Sequence, residues 1–272
     1  MGRQLAEVLN SAGHRIVLCD AHSAAQHDDI ERGIGWAATP ADCASGQDAV
    51  FIFVRTSEQV EDVVLADVDG VLMARVRPSV VILGSTVSLI TTERIDTACR
   101  EAGVAFIDAP VNGRPPDLVI FAGTRRRDLV RFGPLLDEVS RAVHHVGPAG
   151  CGTITKHIHQ LVLYANHLNS VVALQLGVRA GIDERTLLRA LLDSGAASRA
   201  LSGLADRTGV ARLPDGASID LIAKDMLLVE QTAEMFGERW PVVAGLLQIY
   251  RAAQVAGLGS EHFDRIREVT EQ

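Results

Sequence analysis

The chain has 272 residues, of which 47% are hydrophobic and 22% are charged, and its formal net charge is −8. A chain of this length and composition can bury a large core and favours two folded domains. Because acidic residues outnumber basic ones, a surface for nucleic acid or an anionic membrane is not expected, and small-molecule chemistry is the favoured class. The four cysteines form no C-x-x-C pair, which is typical of reduced thiols in a cytoplasmic protein.

The chain begins with a helical pattern. Apolar residues recur at helical spacing over residues 5–12, and Gly13 is suited to end the helix. Residues 15–20 then predict a buried strand that ends in the carboxylate of Asp20. This order is typical of the second half of a dinucleotide-binding βαβ unit, in which such an aspartate binds the ribose hydroxyls and repels the 2′-phosphate of NADP. A turn-forming aspartate is the alternative.

From residue 15 to about residue 146, short apolar runs alternate with helical patterns. Further strands are predicted at 49–54, 80–83, 104–108, 118–122 and 142–146, and helices at 57–66, 90–102 and 128–140. This alternation predicts an α/β domain with a mostly parallel, doubly wound sheet. The arginines at 125–127 are interpreted as the solvated start of the last of these helices, with a local anion contact as the alternative.

After the glycine-rich stretch 147–152 the strand signals stop. Helices are predicted at 153–180, 184–194, 217–236 and 241–257. The sequence therefore predicts a Rossmann-like domain over 1–150 and an all-α domain over 151–272. The long first helix carries several polar residues, which argues against a membrane span. Its apolar surface predicts a homodimer or homotetramer, unless the other helices cover it.

One loop and one helix face carry polar residues suited to chemistry. Residues 108–113 leave a strand at the carboxyl edge of the sheet, where ligands bind, and the asparagine and glycine there can donate to a substrate carboxylate. An ordinary turn is the alternative. Lys156 follows a glycine-rich bend, with His159 and Gln160 at i+3 and i+4 on the same helix face. We expect a polar pocket near a domain cleft, against the alternative of a solvated lysine.

Lys224 and Asp225 lie inside a strongly apolar helical stretch, 219–229. Residues adjacent on a helix do not face each other, so an ion pair between them is expected to add little. The apolar setting favours the alternative that Lys224 lines a cleft.

Taken together, these stretches resemble the β-hydroxyacid dehydrogenase family, which includes 3-hydroxyisobutyrate dehydrogenase and tartronate semialdehyde reductase. The likeness runs essentially end to end. Residues 1–2 resemble the end of the family's G-x-G-x-M-G loop, 84–88 its S-T-I-S segment, 108–113 its D-A-P-V-S-G-G, 150–156 its G-x-G-x-x-x-K and 224–225 its late K-D.

The resemblance implies a cytoplasmic, NAD-dependent oxidoreductase that acts on a small hydroxy acid, with Lys156 as the catalytic acid/base and without a metal ion. NADP is the less favoured cofactor because of Asp20. The substrate-binding residues implied are Asn112, Gly113, His159 and Gln160. The cofactor-binding residues implied are Gly2, Asp20, Val54, Arg55, Ser85, Thr86 and Lys224.

Departures from the family pattern narrow the range of expected substrates. His159 and Gln160 replace the usual Asn-Asn and resemble the four-carbon acid-sugar branch, such as L-threonate dehydrogenase. Asn112 and Arg114 replace the serine and second glycine of the family's loop, which implies a changed substrate pocket. The histidine is also similar to 6-phosphogluconate dehydrogenase, although that enzyme's long C-terminal helical region has no counterpart here. Lys156 argues against the imine reductases, which share the architecture without the lysine.

The resemblance also implies an N-terminally truncated sheet, in which the first strand and most of its glycine loop would precede Met1. A start placed too late in the reading frame is the favoured explanation. A catalytically impaired relative that serves as an oligomeric interaction module is the alternative. We expect the 272-residue chain to bind NAD poorly, because the loop amides that would surround the pyrophosphate are missing.

Overall fold

The computed structural model describes residues 1–21, 29–30, 32–205 and 217–270. The chain divides into two compact units, Met1–Lys156 and His157–Gln272. All named strands lie in the first unit, and the second is helical. The predicted α/β fold class, with a Rossmann-like sheet followed by a helical region, is confirmed.

The first unit alternates strands and helices in chain order. Its elements are α1 (Gly2–Ser11), β1 (Val17–Leu18), β2 (Gly35–Trp36), α2 (Pro40–Ala44), β3 (Ala49–Ile52), α3 (Ser57–Leu65), a 3₁₀ turn (Val71–Met73), β4 (Val80–Leu83), α4 (Leu89–Glu101), β5 (Ala105–Asp108), β6 (Val111–Asn112), β7 (Leu118–Gly123), α5 (Arg126–Asp137) and β8 (Ser140–Gly147).

The larger sheet has six strands, ordered β3-β4-β5-β7-β6 with β8 on β7. The pairs β3–β4, β4–β5 and β7–β8 are parallel, whereas β7 runs antiparallel to β5 and β6. Strands β1 and β2 form a separate parallel pair, and no ladder joins β1 to β3 among the described residues. The prediction of a loop at Asn112 is wrong, because Val111 and Asn112 pair with Ile120 and Val119 of β7.

Apolar residues from helices and strands cover both faces of the larger sheet. One cluster joins β3 and β4 to residues of α3 and α4, and the other joins β4, β5 and β7 to α1 and α5. All four residues of β4 are buried. This explains the uninterrupted Val-Val-Ile-Leu run, since a central parallel strand is covered on both sides.

The second unit packs its helices around its own apolar core. The helices are α6 (Cys151–Arg179), which begins in the first unit, then α7 (Glu184–Leu192), α8 (Arg199–Ala205), α9 (Ile219–Met235), α10 (Pro241–Val255), a 3₁₀ turn (Phe263–Ile266) and α11 (Arg267–Thr270). Tyr250 and Phe263 are its largest fully buried side chains.

Helix α6 is the one helix, among those described, that is long and apolar enough to cross a membrane by length and composition. Core helices of globular proteins pass the same test. Buried polar residues along it, including Gln160 and His167, hydrogen-bond to protein partners, as expected of a core helix.

Candidate active site

Asp108 ends β5 and is fully buried. Its Oδ2 accepts hydrogen bonds from the backbone N–H of Gly150, at 3.0 Å, and of Thr153, at 2.8 Å. Its Oδ1 accepts from the Thr153 hydroxyl at 2.8 Å. Burial raises the pKa of Asp108 to about 6, although these hydrogen bonds oppose the rise. The carboxylate therefore fixes the first turn of α6 against the carboxyl end of β5.

The glycine-rich bend before α6 permits this close approach. Gly150 has a φ of +92°, a conformation that favours glycine. A Cβ on Gly152 would collide with the carbonyl oxygens of Asp108 and Phe121. The start of α6 thus lies directly against the sheet, and glycine is required there.

Lys156 occupies the second turn of α6 and is 6% exposed. Its Nζ donates to the carbonyl oxygen of Val111 at 2.9 Å. Val111 is followed by half-buried Asn112 and by Gly113, which has a φ of +93°. Within the first unit, the structure therefore brings the lysine ammonium to the segment 108–113, which carries the predicted carboxylate-binding residues. A buried amine in this position can donate or accept a proton.

The loops after β3 and β4 are tied together by one hydroxyl. Ser85 is buried, and its Oγ accepts from the N–H of Val54 at 2.8 Å and donates to the Ile52 carbonyl at 3.3 Å. Arg55 is exposed, and its backbone N–H donates to the Gln59 side chain at 2.9 Å. The Ser85 hydroxyl thus holds the segments that follow β3 and β4 together at the carboxyl edge of the sheet.

The amino end of α1 and the end of β1 suit a dinucleotide. Helix α1 begins at Gly2, and no side chain caps its Met1 N-cap position. The first backbone N–H groups of a helix lack intrahelical partners and attract phosphate. Asp20 is exposed just after β1, where a carboxylate can accept from ribose hydroxyls. His22 and Ser23, which follow Asp20 closely in the chain, lie outside the described residues.

In the second unit, Gln160 is held by three side chains. Its Nε2 donates to Asp225 Oδ2 at 2.5 Å and to the Tyr164 hydroxyl at 3.2 Å. Its Oε1 lies 3.0 Å from His159 Nδ1, and because an amide oxygen only accepts, that ring nitrogen carries the proton. Both amide hydrogens of Gln160 are therefore used inside this unit.

Lys224 and Asp225 form an ion pair, with Nζ 3.0 Å from Oδ1. The two neighbouring side chains are thus in contact, although adjacent helix positions point in different directions. Asp225 is buried, and the long lysine side chain reaches back to it while remaining partly exposed. Asp225 therefore links Lys224 to Gln160, a role that no local pattern indicated.

Asp108 belongs to the motif at 108–113, and its structural role was not predicted. An aspartate that ends a buried strand, followed by a glycine-rich bend before a helix, was the available signal. Thr153 was missed as well, although its hydroxyl contacts both Asp108 and Thr92, the latter at 2.9 Å. Tyr164 gave no signal because it sits in an ordinary apolar helix pattern.

Two family models together cover almost the whole chain. The model described as the NAD binding domain of 6-phosphogluconate dehydrogenase matches residues 1–147. The model described as NAD-binding of NADP-dependent 3-hydroxyisobutyrate dehydrogenase matches residues 150–269.

Named relatives span the same length. NAD-dependent L-serine dehydrogenase of Pseudomonas aeruginosa is 27% identical over 282 residues, covering 99% of this chain and 94% of that protein. 2-(Hydroxymethyl)glutarate dehydrogenase of Eubacterium barkeri is 26% identical over 278 residues, covering 100% and 92%. A structure of Mycobacterium tuberculosis 3-hydroxyisobutyrate dehydrogenase with L-serine has the same fold, with a TM-score of 0.86 over 100% and 96% of the chains at 21% identity.

Proposed function

Because the chain belongs to the β-hydroxyacid dehydrogenase family and is an NAD(P)-dependent hydroxyacid dehydrogenase, we propose that it oxidises a small 3-hydroxy acid or a four-carbon acid sugar. The observation that carries the proposal is the buried Lys156, whose Nζ contacts the Val111 carbonyl beside Asn112 and Gly113. The amide of Asn112 and the backbone N–H of Gly113 are suited to hold the substrate carboxylate.

The names of the relatives support this substrate class. L-Serine, 2-(hydroxymethyl)glutarate and 3-hydroxyisobutyrate each carry a hydroxyl on the carbon β to a carboxylate. An acid sugar adds further hydroxyls to this unit. We assign the contact with such a hydroxyl to His159 and treat Gln160 as the residue that orients it, since both amide hydrogens of Gln160 already bond to Asp225 and Tyr164.

The proposed reaction combines hydride and proton transfer. When bound, NAD(P) supplies the hydride acceptor for oxidation and the hydride donor for reduction. In oxidation, neutral Lys156 accepts the hydroxyl proton at Nζ as the carbinol carbon loses its hydride and the C–O single bond becomes a carbonyl. In reduction, the Lys156 ammonium returns that proton to the developing alkoxide and stabilises its charge. The Val111 carbonyl keeps Nζ in place for both directions.

We assign NAD as the preferred cofactor, since Asp20 would lie near the ribose hydroxyls and repel a 2′-phosphate. The N-terminus of α1 at Gly2 would hold the pyrophosphate. The backbone of Val54, Arg55, Ser85 and Thr86, at the carboxyl edge of the sheet, would line the nicotinamide side.

The test of the catalytic assignment is Lys156→Met and Lys156→Ala. Loss of proton transfer should lower kcat by about 10²–10⁴-fold and leave the Kd for NAD nearly unchanged. Lys224→Met, at the only other lysine of the chain, is the comparison. Because the family resemblance assigns Lys224 to the cofactor, its loss should raise the Kd for NAD and lower kcat far less than loss of Lys156 does. Near-wild-type turnover in the Lys156 variants would overturn the mechanism.

Because the chain has two lysines, the protonation of Lys156 can be followed directly by NMR. Protein labelled with ¹³C at lysine Cε should give two lysine signals, and Lys224→Met identifies which belongs to Lys156. The Lys156 signal should titrate in step with the pH profile of kcat. A profile that follows neither lysine would assign the proton transfer to another group.

The cofactor assignment is tested by steady-state kinetics with both dinucleotides. NAD should give the higher kcat/KM, and Asp20→Ser should narrow the preference by removing the carboxylate that repels the 2′-phosphate. A wild-type preference for NADP would contradict the assignment.

We also propose a cytoplasmic homodimer or homotetramer built through the second unit. One face of α6 exposes four large apolar side chains, namely Ile158, Val162, Val172 and Leu176. They recur within about 40° of a common direction on a helix with 3.6 residues per turn. A solvent-exposed apolar stripe of this length is typical of a surface that binds another subunit.

A further inference from the structure

Four arginines surround a groove of about 440 Å³ at the amino ends of β4 and β5. They are Arg100, Arg125, Arg127 and Arg131, and the one acidic residue in the lining is Asp128. Ser79, which precedes β4, and residues 103–105, which lead into β5, also line it. The groove thus carries a local excess of three positive charges on a chain whose net charge is −8.

A buried carboxylate positions two of the arginines. Asp128 is 8% exposed, and its Oδ2 accepts from Arg125 Nε at 2.9 Å, while its Oδ1 lies 3.7 Å from Arg127 Nε. Both contacts use the Nε side of the guanidinium, and both arginine side chains stay substantially exposed. Because these side chains are already held in place, less conformational entropy is lost when they bind an anion.

The other two arginines are held as well. Arg131 Nη2 lies 3.4 Å from the Ser79 hydroxyl, and its guanidinium carbon sits 4.8 Å above the Phe132 ring. Arg100 Nη2 lies 3.4 Å from the Thr97 hydroxyl. The neighbouring Arg126 does not line the groove, so the basic sequence 125–127 divides into two groove residues and one outward residue.

The groove is separate from the candidate active site. Ser79 and Ala105 stand at the amino ends of strands whose carboxyl ends carry Leu83 and Asp108. Four strand residues span about 13 Å at 3.3 Å per residue. Ligands of doubly wound sheets bind at the carboxyl edge, so the dinucleotide does not account for this cluster.

We propose that this groove binds a small molecule carrying two or more phosphoryl groups. Planar guanidinium groups pair with phosphoryl oxygens through two parallel hydrogen bonds, and a compact diphosphate can engage several of them at once. The volume falls within the range of small-ligand sites, about 300–1,000 Å³. Asp128 contacts both Arg125 and Arg127, and the net excess of three positive charges matches a ligand with several negative charges better than a singly charged anion.

The test is calorimetric titration of the intact chain with inorganic pyrophosphate. Saturable binding is expected, and Arg100→Ala combined with Arg131→Ala should weaken it by at least about tenfold, the effect of losing one charge-assisted contact. These two substitutions leave the Asp128 contacts intact. Arg126→Ala combined with Arg141→Ala is the matched control, because it removes the same charge from exposed residues outside the groove and should change the Kd less than about twofold.

The dinucleotide site could bind pyrophosphate too, and the variants separate the two sources. Pyrophosphate affinity that survives in the Arg100/Arg131 variant would place the ion elsewhere and overturn the proposal. An equal loss of pyrophosphate affinity in the groove and control variants would show that net charge alone accounts for the effect, and this would overturn the proposal. An absence of saturable binding would overturn it as well. The urea denaturation midpoint of both variants should stay close to that of the wild type, which shows that they fold.

Discussion

Asp108 combines full burial with hydrogen bonds that favour its charged form. Burial dominates, so the pKa of this carboxyl is raised to about 6. A carboxyl whose pKa is higher in the folded state than in the unfolded state binds more protons when folded at intermediate pH. Its contribution to stability is present at low pH and is lost as the pH rises through 6.

This gives a prediction for Asp108→Asn. The difference in unfolding free energy between wild type and variant should fall by about 2 kcal/mol from pH 4.5 to pH 7, since each unit of pKa shift corresponds to about 1.4 kcal/mol. Urea denaturation at several pH values measures it, and the other titrating groups cancel in the difference. A difference that is constant or grows with pH would contradict the prediction.

The residues of the site were predictable to different degrees. Lys156 could be found because a lysine after a glycine-rich bend at the start of a long helix is unusual, and both lysines of the chain fall in family motifs. Asp225 could not be given its role, because its contact with Gln160 spans 65 positions. Hydrogen bonds between distant helices leave no periodic signal in the chain.

Among the secondary-structure elements, those built on apolar periodicity were predictable. The strands at 80–83 and 105–108 and the helices at 57–65 and 241–255 match their patterns to within two residues. The two-residue strand β6 was missed, since it exists only through its pairing with β7. The antiparallel direction of β7 beside β5 was missed for the same reason, because strand direction is set by tertiary pairing.

Two glycines inside helices lead to opposite predictions. A Cβ on Gly152, in α6, would meet backbone of β5 and β7, whereas one on Gly245, in α10, meets nothing within 4 Å. Gly152→Ala should destabilise the protein by about 1–3 kcal/mol through overpacking, and Gly245→Ala should stabilise it by about 0.5–1 kcal/mol through reduced entropy of the unfolded chain.

Denaturant midpoints of the two variants test the pair. The Gly152 variant should also lose dehydrogenase activity, because a displaced first turn of α6 moves Lys156 away from Val111. A Gly152→Ala protein as stable as wild type would show that the contact between α6 and the sheet is looser than described.

For the whole molecule, the exposed stripe on α6 predicts association. Replacing Val162 and Leu176 with glutamate should place charges in the subunit interface and yield a monomer by light scattering at micromolar concentration. Glutamates at Val68 and Val130, which are exposed apolar residues of the first unit, serve as the matched control. A wild-type monomer, or a glutamate variant that still assembles, would contradict the proposed interface.

Among the described residues, strand β3 is the terminal strand of the larger sheet. Its run, Ala-Val-Phe-Ile-Phe-Val at 49–54, contains six apolar residues without a charge or a proline. A segment of this kind on a sheet edge is a template for cross-β aggregation, since its backbone can pair with the same segment of another chain. Thermal inactivation should therefore be irreversible and should accelerate with protein concentration, because the rate-limiting loss is association of unfolded chains through this segment.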